Sequence, residues 1–97
     1  DVVVGHKVAL HGCTIADRVL VGIGAIVLDG VEVASDVIIG ACSVVTPGKQ
    51  LESGHLYVGN PARRARELRP AEIARIPKMA RDYVLLKNEY AQRRPGT

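Results

Sequence analysis

The chain has 97 residues, 47% of them apolar, with ten glycines, three tyrosines and neither Phe nor Trp. That length accommodates one small domain, and an interior without large aromatics points to a narrow, repetitive core of small aliphatic side chains. The net charge of +3 hides a division: residues 1–60 carry three basic and six acidic side chains, residues 61–97 ten basic and four acidic ones, so the basic character belongs to the C-terminal segment.

The longest apolar run, residues 19–28, is ten residues long and broken by Gly22 and Gly24. A bilayer span needs about 20 residues, so no transmembrane helix is expected. No secretory signal is visible, and Cys13 and Cys42 are too few to staple a secreted scaffold. Both observations point to a cytoplasmic setting. A lone domain of this size buries only about 60% of its unfolded surface, so association with further copies is expected.

Along the chain, Val4 and Leu10 lie six apart as inward aliphatic anchors, with Val8 and Thr14 in the accompanying small inward position. Leu10 to Ile15 is only five, which drops one residue at His11-Gly12-Cys13. Irregularities in β structure often sit beside functional sites, although a harmless shortening of a turn fits the slip equally well. From there the anchors Ile15, Val21, Val27, Val33, Ile39 and Val45 keep a period of six, followed at four residues by Val19, Ala25, Val31, Val37 and Ser43. A period of six is neither a helix nor a simple strand alternation. It is the mark of a hexapeptide β-helix, in which each hexad forms one flat face and three hexads complete a coil.

The repeat is expected to stop at Thr46-Pro47-Gly48, where Pro removes a ladder donor and Gly permits a turn. The expected organisation is β-helix coils over residues 1–48, a connecting segment over 49–69 containing the turn signal Asn60-Pro61, and a C-terminal helix over 70–93. Met79, Tyr83, Leu86 and Tyr90 give that helix its apolar line. Pro77 should kink it, or separate a short turn at 71–76 from a main helix beginning near Pro77. Residues 94–97 form a frayed tail. The fold class is mainly β, a parallel β-helix with a C-terminal α-helix.

The chemistry-bearing side chains are few. His6 and His11 take outward positions on successive faces of the prism, so on one chain they converge poorly. Spacing alone leaves two readings open, solvated turn residues or metal ligands; as ligands, each would serve a different site between neighbouring copies of a cyclic trimer. His55 lies in a loop and Cys13 reads as a small corner residue; neither is expected to ligate a metal. The run Arg63-Arg64-Ala65-Arg66 with Arg69 reads as a solvated face rather than a nucleic-acid surface, because acidic residues interleave it and aromatics are scarce.

The words around the histidines carry more. Gly5-His6 through Leu10-His11-Gly12-Cys13-Thr14-Ile15, then Val21-Gly22-Ile23-Gly24-Ala25-Ile26-Val27-Leu28-Asp29-Gly30, and later Val44-Val45-Thr46-Pro47-Gly48 and Tyr57-Val58-Gly59-Asn60-Pro61-Ala62, resemble the γ-class carbonic anhydrase family. The resemblance runs from residue 1 to about 90. It implies a left-handed β-helix that forms homotrimers, with zinc or iron between subunits and His6 and His11 as two of three metal ligands. It also implies the reversible hydration of carbon dioxide to bicarbonate by a metal-bound hydroxide, a lyase reaction. The family's third ligand, a histidine on an earlier coil, has no counterpart here, and the chain reads as the C-terminal half of such a protein. A centre holding two protein ligands should bind zinc weakly. Tyr83, on the inner helix line, is the candidate hydroxyl behind the metal site. Two other functions compete: a hexapeptide-repeat acyltransferase that uses acyl-CoA, since Gly59-Asn60-Pro61-Ala62 and the repeat are common to that group, and a non-enzymatic trimeric assembly module.

Overall fold

The computed structural model describes residues 2–78. Eleven short strands follow in order: β1 (Val2–Val4), β2 (Ala9–Leu10), β3 (Thr14–Ile15), β4 (Val19–Val21), β5 (Ile26–Val27), β6 (Glu32–Val33), β7 (Val37–Ile39), β8 (Val44–Val45), β9 (Gln50–Leu51), β10 (His55–Gly59) and β11 (Ala62–Glu67). They stack into three flat faces, β1-β4-β7-β10-β11, β2-β5-β8 and β3-β6-β9. Every pairing except that of β10 with β11 is parallel. This is a parallel β-helix of about three coils, followed by a helix, α1, described over residues 70–78.

The register explains the period. Val19 lies opposite Val37, Ile26 opposite Val44 and Glu32 opposite Gln50, each 18 residues on. Each anchor therefore stacks on its counterpart one coil away. Val21 and Ile39 form one inner column, Val27 and Val45 a second, Val33 and Leu51 a third, and all are buried. The small positions do the same: Ala25 above Ser43 and Val31 beneath Cys13 fill the space between columns. Full burial of an aliphatic side chain contributes about 1.5–3 kcal/mol, so this narrow pile accounts for most of the apolar stabilisation. In the first coil the inward Val2 and Leu10 stay 40% and 42% exposed, because β1, β2 and β3 each have a strand partner in the sheet on one side only.

Two features depart from the sequence reading. The coils continue beyond residue 48, because Pro47 falls in a turn rather than a strand, and Leu51 and Tyr57 extend the six-residue phase into β9 and β10. Thr14 is exposed opposite Glu32, while Cys13 takes the small inward place against the core. The dropped residue lies before that place rather than after it, so Cys13 is not a corner residue. Of the two expectations at Pro77 the separate short turn is not seen: Pro77 lies within the continuous helical segment 70–78.

Polar groups near the core are satisfied. Ser43 Oγ accepts a bond from the Gly59 amide at 3.1 Å, and the Tyr57 hydroxyl accepts one from the Glu52 amide at 2.8 Å. At the start of α1, Pro70 takes the first helical position and Glu72 reaches back to the Arg69 amide at 2.9 Å, half of a capping box. The Glu72 carboxylate also receives both Arg66 terminal nitrogens, at 2.7 and 2.8 Å, tying the helix start to β11.

The coils approach most closely along Gly5, Gly22 and Gly40. A Cβ on Gly22 would lie 2.6 Å from the Ala41 nitrogen. Gly48, by contrast, has open space but a φ of 76°. We expect Gly22→Ala to cost about 3 kcal/mol through backbone displacement and Gly48→Ala about 1–2 kcal/mol through left-handed strain alone, both read from urea denaturation. Acid should act through Glu72, whose carboxyl is pulled from 4.5 to about 2, first by the Arg66 bond and then by the Arg69 amide. A depressed carboxyl stabilises the fold above its unfolded value. That contribution is therefore lost as pH falls from 4.5 through about 2. Thermal midpoints of Glu72→Gln should show a shallower decline over that window, and the difference from the parent should shrink in high salt.

Candidate functional site

Each of the three corners of a coil carries one left-handed residue, and these positions stack from coil to coil. Lys7, Gly24 and Cys42 form one such column, Gly12, Gly30 and Gly48 a second, and Arg18, Asp36 and Gly54 a third, all at positive φ. Within the parallel coils the chain turns at these corners, and side chains beside them project from a fixed frame. His6 precedes the first left-handed position of its column and His11 the first of the next.

Both backbones are anchored. The His6 carbonyl accepts from the Gly24 amide at 2.9 Å, just as Ile23 accepts from Cys42 at 2.8 Å one coil below. His6, Ile23 and Ala41 thus share a column. A Cβ on Gly5 would meet the Ile23 nitrogen at 2.8 Å, so the bare glycine lets His6 sit directly over Ile23. The His11 amide donates to the Val27 carbonyl at 2.9 Å, and Leu28 repeats that bond to Val45 at 3.1 Å. The shortened coil is confined to this corner: Ala9 lies opposite Ile26, 17 residues on, and Thr14 opposite Glu32, 18 on. Gly12, at φ 51°, spans the shorter turn, and the Asp29 carboxylate stands 2.8 Å from where its Cβ would lie. Sequence reasoning passed over Asp29; its only signal was its place one coil below Gly12.

His6 and His11 are both exposed, on the two edges of the face built from β2, β5 and β8. The outward residues of that face are Ala9, Ile26 and Val44, and Ile23 beside it is 56% exposed. An uncharged aliphatic strip thus lies between two imidazole-bearing corners. The remaining histidine, His55, belongs to the last coil, where its Nδ1 lies 2.9 Å from the Ser53 carbonyl oxygen. The fold does not bring it to the other two. Cys13 is half-buried against the core and Cys42 is exposed at a corner. Tyr83 lies outside the described residues. Among the described residues no three His, Cys, Asp or Glu side chains of one chain converge as a metal cage, and no helix is long and apolar enough to cross a membrane.

Comparison with known proteins places this geometry. Residues 12–47 match the family model described as bacterial transferase hexapeptide (six repeats). Protein YrdA of Escherichia coli K12 is 61% identical over 90 residues, which cover 93% of this chain and 49% of that protein. Mitochondrial gamma carbonic anhydrase 1 of Arabidopsis thaliana is 40% identical over 91 residues, covering 94% of this chain and 33% of the relative. The chain thus spans half or less of these relatives' length. Among solved structures, one described as an acetyltransferase from Bacillus cereus superposes with a TM-score of 0.85 at 36% identity, covering 96% of this chain and 54% of that one.

Proposed function

Because the chain belongs to the γ-carbonic-anhydrase-like hexapeptide-repeat family, we propose that it acts as a carbonic-anhydrase-type protein in a homotrimer, hydrating carbon dioxide to bicarbonate at a metal site shared between copies. His6 of one copy and His11 of the next supply imidazole ligands to zinc or iron. The observation that carries this reading is the placement of two exposed, backbone-anchored histidines on opposite edges of an uncharged aliphatic face. Among the described residues of one chain no three-residue metal cage forms. In a cyclic trimer the His6 edge of that face in one copy meets the His11 edge in the next, and the strip of Ala9, Ile26 and Val44 faces the neighbouring copies.

Each histidine has a distinct task. The inter-coil bonds at His6 and His11 hold their backbones so that little ring movement is needed on binding, which reduces the ordering cost. Neutral imidazoles suit borderline cations such as zinc and ferrous iron. When bound, the metal supplies Lewis acidity that lowers the pKa of a coordinated water to about 7. The aliphatic face keeps competing carboxylates away, so carbon dioxide meets an uncharged approach. His6 and His11 correspond to two of the family's three ligand histidines, and Tyr83, outside the described residues, is the proposed hydroxyl behind the site.

A second reading rests on the solved neighbour described as an acetyltransferase. In that reading one histidine serves as a general base in acyl transfer from acyl-CoA, and no metal is required. A non-enzymatic trimer is the third. Native mass spectrometry with metal analysis separates them. We expect a trimer that takes up zinc or iron, and a His11→Ala variant that remains trimeric while its metal affinity falls by more than about 100-fold, since loss of an outer partner alone costs 10–100-fold. A trimer that binds acyl-CoA but no metal would favour the transferase, and one that binds neither would favour the assembly module.

A further inference from the structure

A second concave feature lies at the far end of the stack, away from both histidine corners. The corner after β8 and the β10–β11 hairpin enclose a cleft of about 390 Å³, whose polar lining is Thr46, Lys49, Gln50, Tyr57, Arg63 and Arg64. Three cations and no carboxylate line it. Outside the cleft, Arg18 ends on Asp36 and Arg66 on Glu72. Here only Arg64 is paired, at 2.9 Å from Glu52, which does not line the cleft. Among the described residues Lys49 and Arg63 make no ion pair.

The chain draws these groups together from distant positions. Lys49 follows Gly48, whose φ of 76° turns the corner and whose surroundings leave 4 Å of open space. Arg63 and Arg64 come back along β11, opposite Val58 and Tyr57. Like charges held in one concavity repel, and the Thr46 hydroxyl adds a neutral donor beside them, whereas the Gln50 amide already donates to Glu32 at 3.3 Å. Guanidinium groups match phosphate oxygens in geometry, and lysine adds a point charge. We propose that this cleft binds the diphosphate group of a small molecule. Two unneutralised cations call for more than a single negative charge, and a lone orthophosphate would fill a small part of the space. A nucleic-acid strand would need the whole row of β11 arginines, yet Arg64 and Arg66 are committed to Glu52 and Glu72.

The test is calorimetric titration of inorganic pyrophosphate into the full chain at low salt. Saturable binding at least ~10-fold tighter than that of orthophosphate is expected, weakening as salt is raised. Lys49→Gln and Arg63→Gln should each reduce the affinity about 10-fold. Arg75→Gln, on the exposed side of α1 and outside the cleft, should leave it unchanged. All three positions are exposed, and a far-ultraviolet spectrum verifies that the variants fold. Competition by ADP extends the ligand class to nucleoside diphosphates, and its absence confines the site to the inorganic ion; the diphosphate assignment stands in both cases. Absence of saturable pyrophosphate binding overturns it. So does an equal loss in Arg75→Gln, or a preference for single-stranded RNA that Arg66→Gln abolishes.

Discussion

Everything in this fold follows from stacking one coil on the next at the strand spacing of about 4.8 Å. At that distance a side chain pointing inward meets its counterpart 18 residues along the chain, so the columns are filled by small groups, with Tyr57 as the one large side chain, in the last coil beneath Ile39. Val, Ile, Leu and Ala fill the interior, and Phe and Trp are absent. The same spacing forces glycine wherever backbone meets backbone, as at Gly22 against Ala41. It also forces one left-handed residue per corner, a position taken by glycine in five of nine cases within the three columns and by Lys7, Arg18, Asp36 and Cys42 in the others.

Such a scaffold leaves chemistry few places to reside. The interior has no room for a pocket, so functional side chains hang from corners or outward faces. A face that is flat and aliphatic is poorly suited to water and well suited to a second copy. His6 and His11 flank that kind of face in the first coil, the coil that is one residue short at the His11 corner. The opposite end of the stack is different in character. There the hairpin folds back antiparallel on β10, and its arginines join Lys49 around a polar cleft. The division of charge along the chain thus becomes a division of surface.

The coils were legible because a period of six repeated over many residues leaves little else for the chain to do. Ile15, Val33 and Val45 identified their columns without any tertiary information. Legibility failed where a local signal outweighed the phase. Pro47 looked like a terminator, yet it stands in a turn, and Leu51 resumes the column six residues after Val45. At the short corner, counting forward from Leu10 placed Thr14 inward, whereas the omission precedes Cys13 and moves that residue into the core. The strand β11 was hidden because four of its six residues are charged; it forms by pairing with β10, a constraint that no local propensity reports. His6 and His11 stood out through the words around them. The basic cleft did not, because Lys49 and Arg63 are far apart until the hairpin closes.

The central claim is that His6 and His11 serve one site from two different chains. Mixing His6→Ala with His11→Ala tests it directly, using cobalt(II) absorption as the reading of an assembled centre. Each variant alone should show no cobalt band, while trimers refolded from the mixture should recover it, because some interfaces then pair an intact His6 with an intact His11. Absence of recovery in confirmed mixed trimers, or an undiminished band in either variant alone, would contradict a shared site.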